Sequence, residues 1–523
     1  MLSSQPANIK GAMDSSEKAK GKEKVETMEV SETISSVGGE GNPSAAGGLS
    51  PGDILATDVW AETMLDKIKV LQKRPSYTAS KSISTAPAST EDRDKKLYEP
   101  RAVAIGPYHR KMENNYFRIT DEHKLWCVQE VIGFHPKKEE EEEVIGDSYK
   151  RDLGKFLGKM KERKEDALDF YRECYGKDYN FGMDSQSFLE MLMLDSCFIL
   201  FALSFNYGLA KVVPILFGLG DITWAQRDIV RASELVKTDL LLLNNQIPFF
   251  ILEDVFKMKN DICPKEKKRN GGNEGNGSIR KDALDFFKFL DLGRNSSKDP
   301  EKGKVDHLLD LYHMYLEPPV HPGRRLLGDI LPFIDPPRSL PSATELQRKS
   351  AVNFKVKEME PEIVLDVTMR KSGDIQMPAL RVEDHTNILL HNLISFEQPL
   401  GTLDSYVTAY VAFLDHIVQR EEDVELLENS GVLEHRLTSS SEVVALFRQL
   451  HYVIDHYKTP GYLAKVYQEV NGCCNSKWRQ MYADAKQRYC SNVWLSISFV
   501  AGIALSVLTL IETIYAIIGF YQS

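Results

Sequence analysis

The chain has 523 residues, of which 42 % are hydrophobic, and a formal net charge of -11. This length and composition suffice for a large buried core, and they predict a globular protein with additions. Because no run of Lys and Arg is interleaved with aromatic residues, a groove that follows nucleic-acid phosphates is not expected. The seven cysteines are odd in number and lack CxxC spacing, which suits a reducing compartment.

The N-terminal part contains one structured element between two polar stretches. Residues 1–52 are rich in Ser, Gly, Glu and Lys, so they cannot offset the entropy of ordering and are predicted to be a disordered tail. They contain no apolar h-region, hence no secretory signal peptide. Within 53–97, Trp60, Met64 and Ile68 recur at helical spacing. This pattern predicts an amphipathic helix followed by a linker.

Residues 98–490 are predicted to form one large, mainly α-helical body. Two solvated loops interrupt it, an acidic one at about 135–148 and one rich in Asn, Gly and Lys at about 259–281. Alternating apolar and polar residues over 351–383 predict a small antiparallel β meander. The helix around Asp195 is apolar on nearly all sides and is expected inside the body, because that carboxylate would cost roughly 2.5 to 3.5 kcal/mol in mid-membrane.

The segment DLLLLNNQIPFFILEDVF, residues 239–256, has two apolar bursts separated by polar residues and a proline. Each burst is shorter than the roughly 20 residues that a membrane-spanning helix needs. We predict a buried helix-turn-helix corner in which residues 240–243 end the first helix and Pro248 lies in the first turn of the second. The side chains expected to satisfy free backbone groups at this corner are those of Asn244, Asn245 and Gln246.

A single membrane-spanning helix is predicted within 491–523. The stretch 493–511 contains 19 uncharged, mostly apolar residues, about 28 Å of helix against a hydrocarbon core of about 30 Å. In this register Glu512 reaches water beyond the far headgroups. In a competing register, 498–519, it is buried in the bilayer, where an ionisable group usually marks a partner or a proton-dependent step. The residues assigned to the span and its ends are Val493, Trp494, Leu495, Ile511, Glu512 and Phe520.

The charges around this helix predict its direction. Lys477, Arg479, Lys486 and Arg488 precede it and no basic residue follows, so the N-terminal bulk is expected in the cytosol. The predicted localisation is a single-pass membrane protein with a C-terminal anchor, in the plasma membrane. Cys490, just before the span, is a candidate for reversible acylation, with an unmodified thiol as the alternative.

Several motifs occur together in one order: YEPRAVAIGPYHR, EHKLW, MLMLDSCFIL, DLLLLNNQIPFFILE, PSATEL, NLISFEQ and the C-terminal apolar segment. In this order, from about residue 53 to the end, the chain resembles the plant domain of unknown function 247 family. The resemblance implies a plant membrane-anchored protein with no established enzymatic activity. Some grass members of that family are associated with self-incompatibility, the recognition of self pollen.

Candidate catalytic groups are few. His109 beside Tyr108 in IGPYH could serve in acid-base chemistry, but a structural turn explains the pair equally well. Asp195, if buried, must be paired, hydrogen-bonded or neutral; a loop amide or an arginine is the simpler partner, and a functional carboxylate is the alternative. No HExxH, P-loop, GxSxG or dinucleotide-binding motif occurs. We therefore expect no catalytic, cofactor-binding or metal site.

The sequence thus favours a membrane-anchored protein that acts through protein contacts in recognition or signalling, with self-incompatibility as an implication of the grass relatives. One alternative is a membrane-tethered enzyme in which His109 and Asp195 converge in a pocket. Another is a structural scaffold whose tail and acidic loop organise other proteins. The expected partners are the lipid bilayer and unidentified proteins, and no nucleic acid.

Overall fold

The computed structural model of the chain describes residues 51–72, 97–111, 117–133, 142–176, 182–204, 223–262, 278–290, 302–318, 340–357, 365–399, 405–454, 462–490 and 493–522. The predicted disordered tail lies outside the described residues apart from its last two positions. Most of the predicted linker, residues 135–141 of the acidic loop and residues 263–277 of the second loop also lie outside them.

Helices dominate the described chain, which confirms the mainly α class. In the N-terminal part they are α1 (Pro51–Gln72), α2 (Asp121–Ile132), α3 (Glu142–Glu162), α4 (Lys164–Tyr175), α5 (Ser185–Ser204), α6 (Trp224–Arg231), α7 (Ser233–Asp239), α8 (Phe249–Ile262), α9 (Ile279–Phe287) and α10 (Leu308–Leu316).

The C-terminal part adds helices and five short strands. The helices are α11 (Ala343–Ser350), α12 (Asp384–Glu397), α13 (Tyr406–Ile417), α14 (Glu421–Asn429), α15 (Ser440–Ile454), α16 (Ala464–Asn475), α17 (Lys477–Cys490) and α18 (Val493–Gln522). The strands are β1 (Asn353–Val356), β2 (Thr368–Met369), β3 (Asp374–Met377), β4 (Leu380–Val382) and β5 (Leu433–His435).

The strands form two small sheets. β3 lies between β1, with which it is parallel, and β2, with which it is antiparallel. β4 pairs in parallel with the distant β5. The antiparallel meander predicted over 351–383 is therefore corrected to mixed pairing. Alternation fixes which side chains share a face but not which strands pair.

Two segments near the N-terminal end differ in extent from their predictions. The amphipathic helix of 53–97 is α1, which begins at Pro51, a residue favoured at the first helical position. Met64 and Ile68 are buried on it. The acidic segment predicted as a loop over 135–148 is helical from Glu142 onward, in α3. Acidic residues are stabilised in the first turn of a helix by its dipole, so an acidic run does not by itself indicate a loop.

The centre of the core is α5. It packs against α2, α3 and α8, and its side chains from Phe188 to Leu203 are buried apart from that of Glu190. By length and composition α5 could span a membrane, yet the body surrounds it. This confirms that the helix around Asp195 belongs to the interior of the helical body.

The corner between α7 and α8 is a longer turn than predicted. α7 ends at Asp239, so residues 240–243 lie beyond the helix that they were predicted to finish. Pro248 directly precedes the first residue of α8, and its carbonyl accepts a hydrogen bond from Ile251 N at 3.1 Å. The helix stops early because buried side-chain amides take up backbone groups of the leucine run.

Candidate functional site

Asp195 lies in the middle of α5 and is completely buried, so its carboxylate needs hydrogen-bond partners. Three groups donate to it: Gly106 N at 2.8 Å, Arg110 Nη2 at 3.1 Å and Lys124 Nζ at 2.5 Å. The loop amide and the arginine named as possible partners from the sequence are both present, and a lysine is added. These four residues are called the Asp195 network below.

The charges of this network are balanced once Asp121, which pairs with Arg110, is included. Lys124 Nζ also donates to Ala104 O at 2.5 Å, and Arg110 Nη1 donates to Asp121 Oδ2 at 2.8 Å. Burial lowers the pKa of Lys124, with Asp195 opposing the effect. Burial also acts to lower the pKa of Arg110, but the carboxylates of Asp195 and Asp121 outweigh this effect, and the pKa is raised. Two cations and two anions thus join the loop before Lys111 to α2 and α5, an arrangement that is costly to break on one side.

Asp239, the last residue of α7, holds the start of the same loop. Its carboxylate accepts hydrogen bonds from the backbone N–H groups of Arg101 at 3.0 Å, Ala102 at 2.6 Å and Val103 at 3.0 Å. Burial raises the pKa of Asp239 to about 6, although the three backbone donors act against this shift. The loop is therefore fixed by one carboxylate at each end.

Asn245 connects this loop to the corner after α7. Its Nδ2 donates to Asp239 O at 2.9 Å and to Val103 O at 3.1 Å, and its Oδ1 accepts from Ile105 N at 2.7 Å. The side chain is buried and uses both ends of its amide. One asparagine thus satisfies backbone groups of the helix end and of the loop together.

Gln246 performs the same task inside the corner. Its Nε2 donates to Leu240 O at 2.9 Å and Leu242 O at 2.8 Å, and its Oε1 accepts from Leu309 N at 3.3 Å. Asn244 behaves differently: it is half-buried, and its side chain forms no hydrogen bond with the described residues. Two of the three amides predicted to serve the corner therefore do so.

Gly106 lies where the loop passes close to the backbone of the corner. Its φ of 69° lies in the left-handed region, and a Cβ atom there would be 2.5 Å from Gln246 O. Tyr171 Oη donates to the same carbonyl at 3.2 Å. The glycine of IGPYH is therefore required both by its backbone conformation and by the space available.

His109 and Tyr108 follow this glycine and pack as aromatic side chains. Tyr108 stacks on Tyr175 with ring centroids 5.3 Å apart. His109 is buried, and neither ring nitrogen has a hydrogen-bond partner among the described residues. Burial lowers the pKa of His109 to about 4. No hydrogen bond joins it to Asp195 among the described residues.

A groove of about 670 Å³ lies between α1, α2 and α5, beside the Asp195 network. Its lining includes Asp66, Asp121, Glu122 and Glu190, together with Lys67, whose Nζ is 2.7 Å from Glu190 Oε1. Neither His109 nor Asp195 lines it. The groove thus exposes a mainly acidic lining beside the Asp195 network.

A second buried polar cluster lies at the N-terminus of α13. Glu397 accepts hydrogen bonds from Val407 N at 2.8 Å and Thr408 N at 2.7 Å, where a helix N-terminus stabilises negative charge. His313 Nε2 is 2.8 Å from Glu397 Oε1, and His313 Nδ1 is 2.9 Å from Tyr406 Oη. The cluster joins α10, α12 and α13 inside the body.

The polar residues that organise the interior were only partly identified from the sequence. Asp195, Asn245 and Gln246 were singled out, whereas Lys124, Asp239 and Glu397 were not, although all three occur within motifs that were noted. The available signal for Lys124 was its position directly before the apolar run Leu-Trp-Cys-Val. Among the described residues no group of three or more His, Cys, Asp or Glu side chains could hold a metal ion.

The C-terminal helix α18 differs from every element described so far. It runs unbroken from Val493 to Gln522, and its described side chains, Ile497 to Tyr521, are all exposed. Of the residues assigned to the span, Ile511, Glu512 and Phe520 are exposed, while Val493, Trp494 and Leu495 lie in the helix with side chains outside the described set. The side chain of Cys490, at the end of α17, is also outside it.

Three hydroxyl groups on α18, those of Ser506, Thr509 and Thr513, are satisfied within the helix. Ser506 donates to Gly502 O at 2.8 Å, and Thr513 donates to Thr509 O at 2.7 Å. The helix therefore presents few free polar groups apart from Glu512. Its apolar stretch, Ile497–Tyr521, includes that glutamate, so both membrane registers remain compatible with the helix.

These features define a class: large, mainly α proteins in which buried polar networks join motif segments and an apolar helix projects at the C-terminal end. The chain belongs to the DUF247 family, described as plant protein of unknown function, whose family model matches residues 83–508. This match confirms the resemblance found in the sequence.

Two relatives from Arabidopsis thaliana are similar to the chain. The UPF0481 protein At3g47200 is 25 % identical over 449 residues, which cover 81 % of this chain and 84 % of the relative. The putative UPF0481 protein At3g02645 is 26 % identical over 174 residues, 33 % of this chain and 32 % of the relative. No solved structure matches the chain.

Proposed function

We propose that the protein is anchored in a membrane by α18 and acts without catalysis, through protein contacts of its helical body in recognition or signalling. One observation carries the membrane part: the 25 residues Ile497–Tyr521 are predominantly apolar, and none of them is buried. An apolar surface of this size marks an interaction site for another protein or a membrane. At 1.5 Å per residue the stretch measures about 38 Å, enough to cross a hydrocarbon core of about 30 Å with some tilt.

A binding role is supported by how the body uses its polar residues. Asp195, Lys124 and Arg110 are engaged with one another, and Asp239 and Asn245 are engaged with backbone groups. These side chains stabilise the interior, and none is offered to a substrate. Partners are then expected on the outer surface of the body, which we place in the cytosol at the plasma membrane because four basic residues lie in α17, directly before α18.

The anchor is tested by extraction at alkaline pH of the full chain and of a chain that stops at Asn492. The full chain should stay with the membrane pellet and the shortened chain should be released. Release of the full chain would contradict the anchor. Because the described side chains of α18 are exposed and do not contribute to the core, the shortened chain should keep the near-ultraviolet circular dichroism of the body.

The binding role is tested by proximity labelling from the intact protein in its native membrane. A tail-deleted chain lacking residues 1–50 should label the same specific proteins, and a chain that stops at Asn492 should lose those confined to the membrane. Labelling that depends on the tail alone would favour a scaffold instead. If the protein converted a small substrate and the His109→Phe variant did not, an enzyme would be favoured.

A further inference from the structure

The helix α17 lies directly before the proposed anchor and has an uncovered apolar face. Trp478, Met481 and Tyr482 are 82 %, 62 % and 63 % exposed. No described part of the chain covers them. At about 100° per residue the three side chains fall within one face of the helix, which we call the aromatic face of α17.

The opposite side of α17 is attached to the body. Ala483 is buried, and Arg479 Nη2 donates to Ser372 O at 3.0 Å. The guanidinium occupies the space that a Cβ atom at Gly373 would need, and the φ of that glycine is 92°. α17 also packs against α11. The orientation of the aromatic face is therefore fixed relative to the body.

Two exposed cations flank the aromatic face. Lys477 and Lys486 lie about 100° to one side and about 80° to the other side of Trp478 by helical geometry. Neither forms an ion pair with the described residues. The segment contains four basic residues and one acidic residue, Asp484, so its charge suits an anionic surface.

We propose that the aromatic face of α17 binds the headgroup region of the bilayer that α18 crosses, with Lys477 and Lys486 contacting the phosphates of anionic lipids. Trp and Tyr favour this region because their rings are apolar and their tips are polar. Helices with an apolar face and flanking lysines bind membrane surfaces in the same way. The inference rests on the proposed function, because only an inserted α18 brings α17 to the membrane.

Insertion of α18 leaves two geometries for α17. Only residues 491 and 492 separate the helices, so α17 either lies along the surface or stands upright from it. If it stood upright, Trp478 would be about 18 Å above the headgroups, since it precedes Cys490 by 12 residues at 1.5 Å each. If it lies flat, Trp478 is at headgroup depth, and the body is held against the membrane in one orientation.

The test measures quenching of tryptophan fluorescence in the full chain, reconstituted into vesicles of phosphatidylcholine with or without one-third phosphatidylserine. A nitroxide is attached to lipid close to the headgroup. The contribution of Trp478 is the difference between the wild type and Trp478→Phe, and that of Trp494 is the difference from Trp494→Phe. Trp126 is buried in the body. Its contribution, the difference between the wild type and Trp126→Phe, is the unquenched reference.

We expect the nitroxide to quench the Trp478 contribution by about half or more, as for an interfacial ring. Quenching should be stronger with phosphatidylserine, and Lys477→Gln combined with Lys486→Gln should remove that increase. Quenching that does not depend on lipid charge would overturn the preference for anionic lipid. An exposed position makes Trp478→Phe compatible with the fold, and Tyr482→Ser offers a second variant that should weaken quenching of Trp478.

Two other outcomes separate this inference from the anchor. If Trp494 is quenched and Trp478 is not, α18 is inserted but α17 stands away from the lipid, and the inference fails while the anchor stands. If neither is quenched, the anchor itself fails. If Trp478 were protected from quenching only at high protein density, a second copy of the chain would cover the aromatic face of α17. That result would overturn the lipid proposal.

Discussion

The helices α5 and α18 are similar in hydropathy and opposite in environment. Each is long and apolar enough to cross a membrane and each contains a carboxylate, Asp195 in α5 and Glu512 in α18. Asp195 receives donors from a loop, an arginine and a lysine, whereas the described side chains of α18 are exposed throughout. The comparison teaches that hydropathy selects candidates for a membrane span, and that the partners available to the carboxylate distinguish a core helix from an exposed one.

The largest effect is expected when Asp195 loses its lysine. Lys124→Met should destabilise the body by about 3 to 5 kcal/mol, because it leaves a buried carboxylate without its strongest donor. Urea unfolding followed by near-ultraviolet circular dichroism measures this loss. The double variant Lys124→Met with Asp195→Asn should recover part of the stability. If Lys124→Met unfolded at the wild-type urea concentration, the Asp195 network would not be the reason that α5 is stable inside the body.

A second effect depends on pH and concerns a buried histidine of the body. Burial lowers the pKa of His307 to about 4, and its Nδ1 accepts from Asp310 N at 3.0 Å at the start of α10. The folded state thus resists a proton that the unfolded state binds below about 6.5. The contribution of neutral His307 to the free energy of unfolding, roughly 3 kcal/mol, is fully present above about pH 6.5 and is lost as the pH falls to about 4.

The control for this pH dependence is His307→Asn, which keeps an acceptor for the helix start but cannot take a proton. The wild-type and variant curves of unfolding free energy should converge at acidic pH. Comparison with the variant is needed because Asp239, whose pKa burial raises to about 6, acts in the opposite direction over the same range. Parallel curves from pH 7 to 4 would contradict the assignment to His307.

A third effect concerns the corner that joins the loop to α7 and α8. Asn245→Leu should cost about 1 to 3 kcal/mol, because it strands buried backbone groups that the asparagine satisfies. Asn244→Leu is the matched control, with an expected change within about 0.5 kcal/mol. Solubility and the urea midpoint measure the effects of both variants.

Pro248→Ala should also lower solubility. If Asn245→Leu or Pro248→Ala folded normally but lost one specific partner, the corner would instead be a binding surface.

The smallest effect on stability is expected at Glu512. Glu512→Leu should change the unfolding free energy of the body by less than about 0.5 kcal/mol, because the residue lies on an exposed helix. A membrane partner that co-purifies with the wild type but not with Glu512→Leu would favour the register in which the carboxylate is buried in the bilayer. Unchanged co-purification would favour the register that places it in water.

The sequence predicted the helical class and the two long apolar helices because these depend on local periodicity and composition. It did not predict the pairing of β1 with β3 or the end of α7 at Asp239, because both depend on distant partners. The same reason explains why Lys124 was missed: its role depends on Asp195, which lies 71 residues away. Asp195 itself was identified because a carboxylate surrounded by apolar residues in its helix is unusual even without knowledge of any partner.

The most direct test of the central claim, that α18 crosses the membrane while the body stays in the cytosol, is glycosylation mapping in one protein. An acceptor site is appended after Ser523 through a spacer, and the natural sequons at Asn276 and Asn295 serve as internal controls on the side of the body. The account predicts modification of the appended site alone. Membrane-inserted protein with an unmodified C-terminal acceptor, or with sugar on Asn276 or Asn295, would contradict it.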